Sequence, residues 1–305
     1  WKLGFLDKDF YYRPFVTQPN ERTIYTTQST PEGSVKTTFG SYDLALSVID
    51  NRQSHEQKVV KQGLKLLGFT DENDKDYIHL PYGVVYLTPE TLLTFGFDLS
   101  DEEKNEKRLP FSSRKGWFIT IDDTLDLLKK KAYQESKKRN PDRSDEWLRD
   151  VAQAIAIGSF RFFLTKFDLN RDITFDIDAA LDMEGETGAY VLYSYARIKN
   201  IFRQGNVDVT AADPQELTED IEFQIAKKIS ELESVVTEAQ RSYSPNLVCR
   251  YAIDLCQLFN SYYASVPVLK AEEHIRNARL ALLEKLAETL AQTMHLIGMI
   301  PLERM

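Results

Sequence analysis

The sequence predicts an α/β region followed by an all-α region. Two short apolar runs of strand length flank a helix-spaced segment near the amino end, and apolar residues recur at helical spacing from residue 145 to residue 297. Strand signals thin out after about Thr124. With 305 residues there is room for two or three domains, each with its own core. The expected division is 1–135 and 136–305.

Residues 42–50 (YDLALSVID) and 77–87 (YIHLPYGVVYL) have the length and apolar content of strands. Between them, residues 55–67 carry Val59, Val60, Leu64 and Leu67 on one predicted buried stripe, closed by Gly68 at a C′ position. Strand, helix, strand is the crossover unit of a parallel sheet. A further short strand is expected at 118–121. Residues 129–149, dense in charge around Asn140 and Pro141, read either as an exposed connection or as the solvated face of a helix hairpin.

The helical half begins with residues 145–164, whose packed side holds Trp147, Val151, Ala154, Ile155 and Gly158. Residues 190–202 place Val191, Tyr195, Ile198 and Phe202 on one stripe. Asp213, Pro214 and Glu216 form an N-cap, N1 and N3 signal, predicting a helix that runs through Ile221, Ile225, Ile229 and Leu232. Ser244 and Pro245 repeat the signal before Leu247, Tyr251, Leu255, Leu258 and Tyr262. A last helix carries Ile275, Leu282, Leu286, Leu290, Met294 and Ile297 and is stopped by Gly298 and Pro301. Such a set of stripes is a helical bundle.

Composition excludes several functions. With 38 Lys and Arg against 47 Asp and Glu, the net charge of −9 argues against a non-specific nucleic-acid coat, which depends on counterion release by many cations. A shape-specific nucleic-acid partner is still allowed. No apolar run approaches a membrane span and no secretory signal opens the chain, so the expected setting is the cytoplasm, without a membrane partner. Cys249 and Cys256 lie two helical turns apart and cannot bridge. The four histidines are not grouped at metal-ligand spacing, so no protein-bound metal is expected.

The most suggestive local element is FSSRKG at 111–116: two hydroxyls, two cations and a glycine suit a clamp for phosphate oxygens. Standing alone, it reads better as a polar surface turn before a strand. Followed by ITIDDTLD at 119–126, it resembles the second signature loop of class I aminoacyl-tRNA synthetases in the form found in arginyl-tRNA synthetases. AIAIGSFRFF (154–163), ITFDI (173–177), EGETGAYVLYSYAR (184–197), the run 247–264 and the closing PLERM (301–305) resemble, in order, the helical and DALR-type anticodon-binding half of that family. DNRQ (50–53) and LPYGVV (80–85) resemble parts of its nucleotide-binding sheet.

The resemblance implies a partial class I, Rossmann-like parallel sheet plus a helical anticodon-binding bundle, taking part in ATP-dependent charging of tRNA with arginine. It implies that Ser112, Ser113, Arg114 and Lys115 close over ATP, with Mg as its counterion, and stabilise the phosphate while arginine attacks. Tyr25 and Gln53 would hold the arginine substrate, and Glu184, Gly185, Gly188, Tyr190 and Arg197 would touch tRNA. Tyr251, Tyr263 and Met305 would meet the anticodon; Tyr262 is also available for stacking. For Tyr251 and Tyr262, on the apolar stripe, burial is the better reading.

Two departures from the family pattern stand out. The HIGH motif that grips ATP is absent from these residues, which predicts that they cannot activate an amino acid alone; the Trp1 start points to processing or to a longer chain. In YTTQS (25–29), Ser29 stands where the family has an aspartate facing the substrate guanidinium, a charge a hydroxyl cannot supply. Asp43, Asp50 or Glu32 would have to substitute. These departures define the alternative, a catalytically inactive tRNA-binding or assembly protein. A plain helical scaffold with an α/β cap explains the periodicities but not the ordered motifs. Residues 1–21, rich in aromatics, are left unassigned.

Overall fold

The computed structural model describes residues 11–35, 43–70, 76–111, 116–117, 119–204 and 212–305. They form two compact units, Trp1–Tyr82 and Gly83–Met305. The expected division at 135/136 falls within a helix of the second unit.

The first unit opens with an antiparallel hairpin, β1 (Tyr11–Thr17) and β2 (Thr23–Gln28), in the stretch that the sequence left partly unassigned. Its turn places Glu21 at φ 64°. β3 (Leu44–Asp50), a 3-10 turn at Asn51–Gln53, α1 (Ser54–Leu66) and β4 (Asp76–Tyr82) then build the predicted crossover, with β3 and β4 parallel from Leu44↔Asp76 to Asp50↔Tyr82. The predicted buried stripe of α1 is a correction: Val59 and Val60 are 59% and 45% exposed, and Leu67 is 67% exposed. Two strands cover too little of a helix to bury its apolar face, and among the described residues no apolar side chain of this unit is buried.

The expected single strand at 77–87 is two strands in different sheets. The break is at Gly83, whose amide donates to the Leu169 carbonyl at 2.8 Å and where any Cβ would strike the Arg171 backbone. β5 (Val85–Leu87) lies between β6 (Leu109–Pro110), antiparallel to it, and β7 (Ile173–Phe175), parallel to it. β7 sits inside the half expected to be all helical. Two short helices, α2 (Pro89–Thr94) and α3 (Asp101–Lys104), connect β5 to β6. No strand forms at 119–121. Thr120 caps α4 (Ile121–Arg139) by accepting from the Asp123 amide at 3.0 Å, because a hydroxyl followed by two aspartates is a helix start; Phe118 lies outside the described residues.

α4 and α5 (Asp145–Thr165) form the helix hairpin, so residues 129–149 are not a connection between units. Ser144 caps α5, and Asn140 donates to the Ser136 carbonyl at 3.1 Å to end α4. α6 (Ile177–Ala180) and α7 (Gly188–Gln204) follow. The Asp213 cap signal is genuine but closes only a 3-10 turn, Pro214–Glu216; Leu217 then turns extended, and α8 (Asp220–Ser230) begins afresh. α9 (Leu232–Ser242), α10 (Asn246–Ser265) and α11 (Glu273–Ile297) complete the bundle. Both cysteines are free and buried in α10, and burial pushes the thiols up to about 11 for Cys249 and about 12 for Cys256, leaving them inert near neutral pH. Among the described residues no helix is long and apolar enough to cross a membrane.

One core, with Leu87, Leu92, Leu128 and the edge-on rings of Phe163 and Phe175, lies under the three-stranded sheet. The larger core fills the space among α5, α7, α8, α10 and α11. Inside it, Glu222 of α8 is fully buried and accepts from Arg279 Nε of α11 at 2.7 Å and from the Tyr262 hydroxyl of α10 at 3.2 Å. Its second oxygen accepts from the Glu219 amide at 3.0 Å, and Arg279 Nη1 donates to the Pro267 carbonyl at 3.1 Å. Removing one partner strands a buried charge, so Arg279→Met should cost about 3–5 kcal/mol in urea unfolding. The double replacement Glu222→Met/Arg279→Met should recover most of that loss, because no unpaired charge is left.

Candidate nucleic-acid interface

One face of α7, the α4–α5 turn, the end of α10 and the last residues of the chain enclose a cleft of about 690 Å³. Four arginines reach it, Arg143, Arg197, Arg203 and Arg304, together with Tyr193, Tyr263, Asn140, Asn200 and Met305; among the described residues no Asp or Glu side chain lines it. On a chain of net charge −9 this is a strong local concentration of positive charge.

Helical spacing accounts for the α7 contributions. Tyr193, Arg197 and Asn200 follow one another at i, i+4 and i+7, on a different face from the buried Val191, Tyr195 and Ile198. Arg197 donates from Nη1 to Asn260 Oδ1 at 2.9 Å and from Nη2 to the Tyr193 hydroxyl at 3.0 Å. Its guanidinium carbon lies 4.9 Å from the Tyr193 ring centre and 5.1 Å from that of Tyr263. Tyr263 is 47% exposed and offers ring surface to a ligand. Arg203 donates to the Glu303 carbonyl at 2.7 Å and to Asn200 Oδ1 at 3.2 Å. Burial holds the Arg203 guanidinium below its ordinary value, and repulsion from Arg304 and Arg143 adds to this against the pull of Glu303. An anion entering this end of the cleft relieves that repulsion.

The chain end is strapped into place. Gly298 stops α11 at φ 78°, its carbonyl accepts from Arg161 Nη1 at 3.2 Å, and Met299 packs on Gly158. Lys199 pairs with the Glu303 carboxylate at 3.1 Å. Arg304 and Met305 thereby form part of the cleft wall.

The sequence-predicted site residues fall into three groups. Ser112, Ser113, Arg114 and Lys115 lie outside the described residues. In the first unit, Tyr25 is on β2 and Gln53 ends the exposed 3-10 turn before α1. Ser29 follows β2 directly, and Asp50 is occupied by Arg52, which bonds it at 2.7 Å and holds its carboxyl below the usual range. In the second unit Arg197, Tyr263 and Met305 meet in the cleft.

The other predicted tRNA contacts divide. Glu184 and Gly185 sit in a loop that Lys166 braces by donating to the Glu186 carbonyl at 2.9 Å. Tyr190 is half-buried and accepts from Asn260 Nδ2 at 2.8 Å, and burial pushes its phenol up. Gly188 is a correction: it is buried where α7 crosses α5, and a Cβ there would stand 2.8 Å from the Gly158 carbonyl oxygen. Tyr251 also leaves the set of tRNA contacts, in line with its place on the apolar stripe: it is 2% exposed with its hydroxyl on the Lys228 carbonyl at 2.8 Å, so it shows no face to a base. Tyr262 is also core.

Tyr193, Asn260, Arg143, Arg203 and Arg304 were missed. Tyr193 and Arg197 form a legible i, i+4 pair on the polar side of α7, and Asn260 is an amide beside the apolar stripe of α10. Arg143 and Arg304 come from a turn and a tail, which carry no periodic signal. Gly188→Ala should cost about 1–3 kcal/mol through overpacking. Tyr251→Phe should cost about 0.5–1.5 kcal/mol by leaving a carbonyl without its hydroxyl donor. Chemical denaturation reads both, and neither substitution should change the charge or the rings of the cleft.

Residues 191–305, which supply most of the cleft, match the DALR anticodon binding domain family. Over 98% of its length the chain is 32% identical to an arginine–tRNA ligase of Deinococcus radiodurans, covering 48% of that protein. Over all of its length it is 34% identical to the arginine–tRNA ligase of Pyrococcus abyssi, covering 46% of it. Among solved structures, Thermus thermophilus arginyl-tRNA synthetase superposes with a TM-score of 0.79 at 29% identity, over 100% of this chain and 47% of that one. The chain thus spans about half the length of the curated relatives it matches. With this continuous similarity, the matched anticodon-binding domain and the shared fold, the chain belongs to the arginyl-tRNA synthetase family.

Proposed function

We propose that these 305 residues provide the tRNA-binding half and part of the catalytic sheet for ATP-dependent attachment of arginine to tRNA. The observation that carries this reading is the cleft, where four arginines and two tyrosines converge, all but Arg143 within the matched anticodon-binding domain. Unpaired RNA bases stack on aromatic rings, and guanidinium groups neutralise the phosphates beside them. Tyr263 takes the stacking role and Arg143, Arg203 and Arg304 the phosphate role.

Ser112, Ser113, Arg114 and Lys115 would close over ATP and its Mg counterion; the support is their resemblance to the family's signature loop and the two cations at its tip. Tyr25 and Gln53 would face arginine. Since the 305 residues contain no HIGH motif, activation would need catalytic residues from outside them. The setting we propose is the cytoplasm. A second reading, tRNA binding without activation, is favoured by Ser29 where the family places a carboxylate.

Titration of the 305-residue chain with a tRNA bearing an arginine anticodon, at two salt concentrations, tests the cleft. Substituting the anticodon should cost about 1–3 kcal/mol per altered base. Arg143→Ala/Arg304→Ala should weaken every tRNA alike and flatten the salt slope by about 0.7 per lost single-strand phosphate contact. Tyr263→Ala should instead erase the preference among anticodons. Equal, weak binding of all tRNAs would overturn the reading.

A second measurement addresses catalysis. In a polypeptide that also carries a HIGH motif, Arg114→Ala/Lys115→Ala should lower arginine-dependent ATP–pyrophosphate exchange by about 100-fold or more, the scale of losing preorganised charge stabilisation, with stability unchanged. An unchanged exchange rate would remove the phosphate-clamp role. No exchange with any amino acid, even before substitution, would favour the binding reading.

A further inference from the structure

We propose that Asn260 is a positioning residue for the cleft: it fixes the Arg197 guanidinium while leaving its charge intact for an RNA ligand. The inference rests on the reading of the cleft as a tRNA site and adds how that site is held ready.

The amide of Asn260 is used at both ends. Nδ2 donates to the Tyr190 hydroxyl at 2.8 Å and to Ser194 Oγ at 3.2 Å, while Oδ1 accepts from Arg197 Nη1 at 2.9 Å. The orientation is unique, because a guanidinium has no acceptor and only the amide oxygen can face it. Tyr190, Ser194 and Arg197 occupy successive turns of α7, so a single side chain on α10 grips three turns of its neighbour. With the Tyr193 hydroxyl on Nη2 and the Tyr193 and Tyr263 ring centres at 4.9 and 5.1 Å, the Arg197 plane is set before any ligand arrives. Two of its five N–H bonds are engaged in these contacts, which leaves donors for a base edge or a phosphate.

The chemistry of the acceptor matters as much as its place. A carboxylate would hold the guanidinium more firmly but would cancel its charge, and a neutralised cation contributes little to binding a polyanion. Arg203 is treated the same way, since its acceptors are the Glu303 backbone carbonyl and the Asn200 amide, while the Glu303 carboxylate is paired with Lys199. Both arginines are therefore oriented by uncharged oxygens. This arrangement suits capture of an anionic, ring-bearing ligand and not a purely structural ion pair.

The test is a double-mutant cycle on tRNA binding by the 305-residue chain, with thermal unfolding measured on each variant. Arg197→Ala should weaken binding clearly. Asn260→Ala should weaken it about five- to tenfold, the effect of one hydrogen bond that orders a charged group, and should add almost nothing in the Arg197→Ala background. Asn260→Asp keeps an acceptor for Arg197 but places a negative charge beside it; it should fold normally, bind tRNA at least as weakly as Asn260→Ala, and lower the salt slope by about 0.7. Independent losses for Asn260→Ala and Arg197→Ala would show that Asn260 acts on the fold, and wild-type binding by Asn260→Asp would show that the preserved charge is unused; either result overturns the proposal. If Arg197→Ala binds like wild type while Arg143→Ala/Arg304→Ala is weakened, the proposal falls and the reading of the cleft stands; if both bind like wild type, the cleft is not the tRNA site and the proposal falls with that reading.

Discussion

Glu222 is fully buried, and its carboxylate fixes how three helices of the bundle meet: it belongs to α8, faces the guanidinium of Arg279 on α11, and receives the hydroxyl of Tyr262 on α10. A buried carboxylate tolerates few rotations of its neighbours, because each displaced partner leaves an unpaired polar group in a medium of low polarity. The rotation of α10 about its own axis is set in this way. Tyr262 pointing inward obliges the next residue, Tyr263, to point outward, and brings Asn260 against α7. The geometry of the cleft therefore begins with an ion pair that takes no part in it.

On the other side of the bundle, the close crossing of α5 and α7 at Gly188 sets how far α7 stands from the α4–α5 turn. Arg143 comes from that turn and Arg197 and Arg203 from α7, so a shift of this crossing moves Arg143 relative to the other two. Packing density, not charge, holds like charges together here. Their mutual repulsion is tolerated because the apolar contacts beneath them are numerous and close-fitting.

Much of the helical half was legible because α5, α7, α10 and α11 each carry a long stripe that a bundle can bury. Where the signal was local, it misled. Asp213 and Pro214 do start a turn, but the α-helix begins at Asp220, where Glu222 can enter the core. The spacing of Val59 and Leu67 marks a face able to be buried without showing that anything covers it. β7 has only three residues, too few for a pattern, and takes its strand character from pairing with β5. At the cleft, Arg197, Tyr263 and Met305 were visible through family resemblance, whereas Arg143, Arg203 and Arg304 converge only in three dimensions. Gly188 and Tyr251 carry family motifs but serve packing.

The tail after Gly298 has a consequence for the order in which this protein assembles. Its anchors are the Arg161 guanidinium on α5 and Arg203 and Lys199 on α7, each separated from its partner by about a hundred residues or more of chain. Contacts of such long range are made late, after the helices that carry them have docked. The cleft wall formed by Arg304 and Met305 is thus among the last surfaces to appear during folding. An incompletely packed bundle exposes its apolar interior but has no finished cationic cleft, so under the proposed tRNA-binding role a half-folded chain would be poorly equipped to capture RNA early.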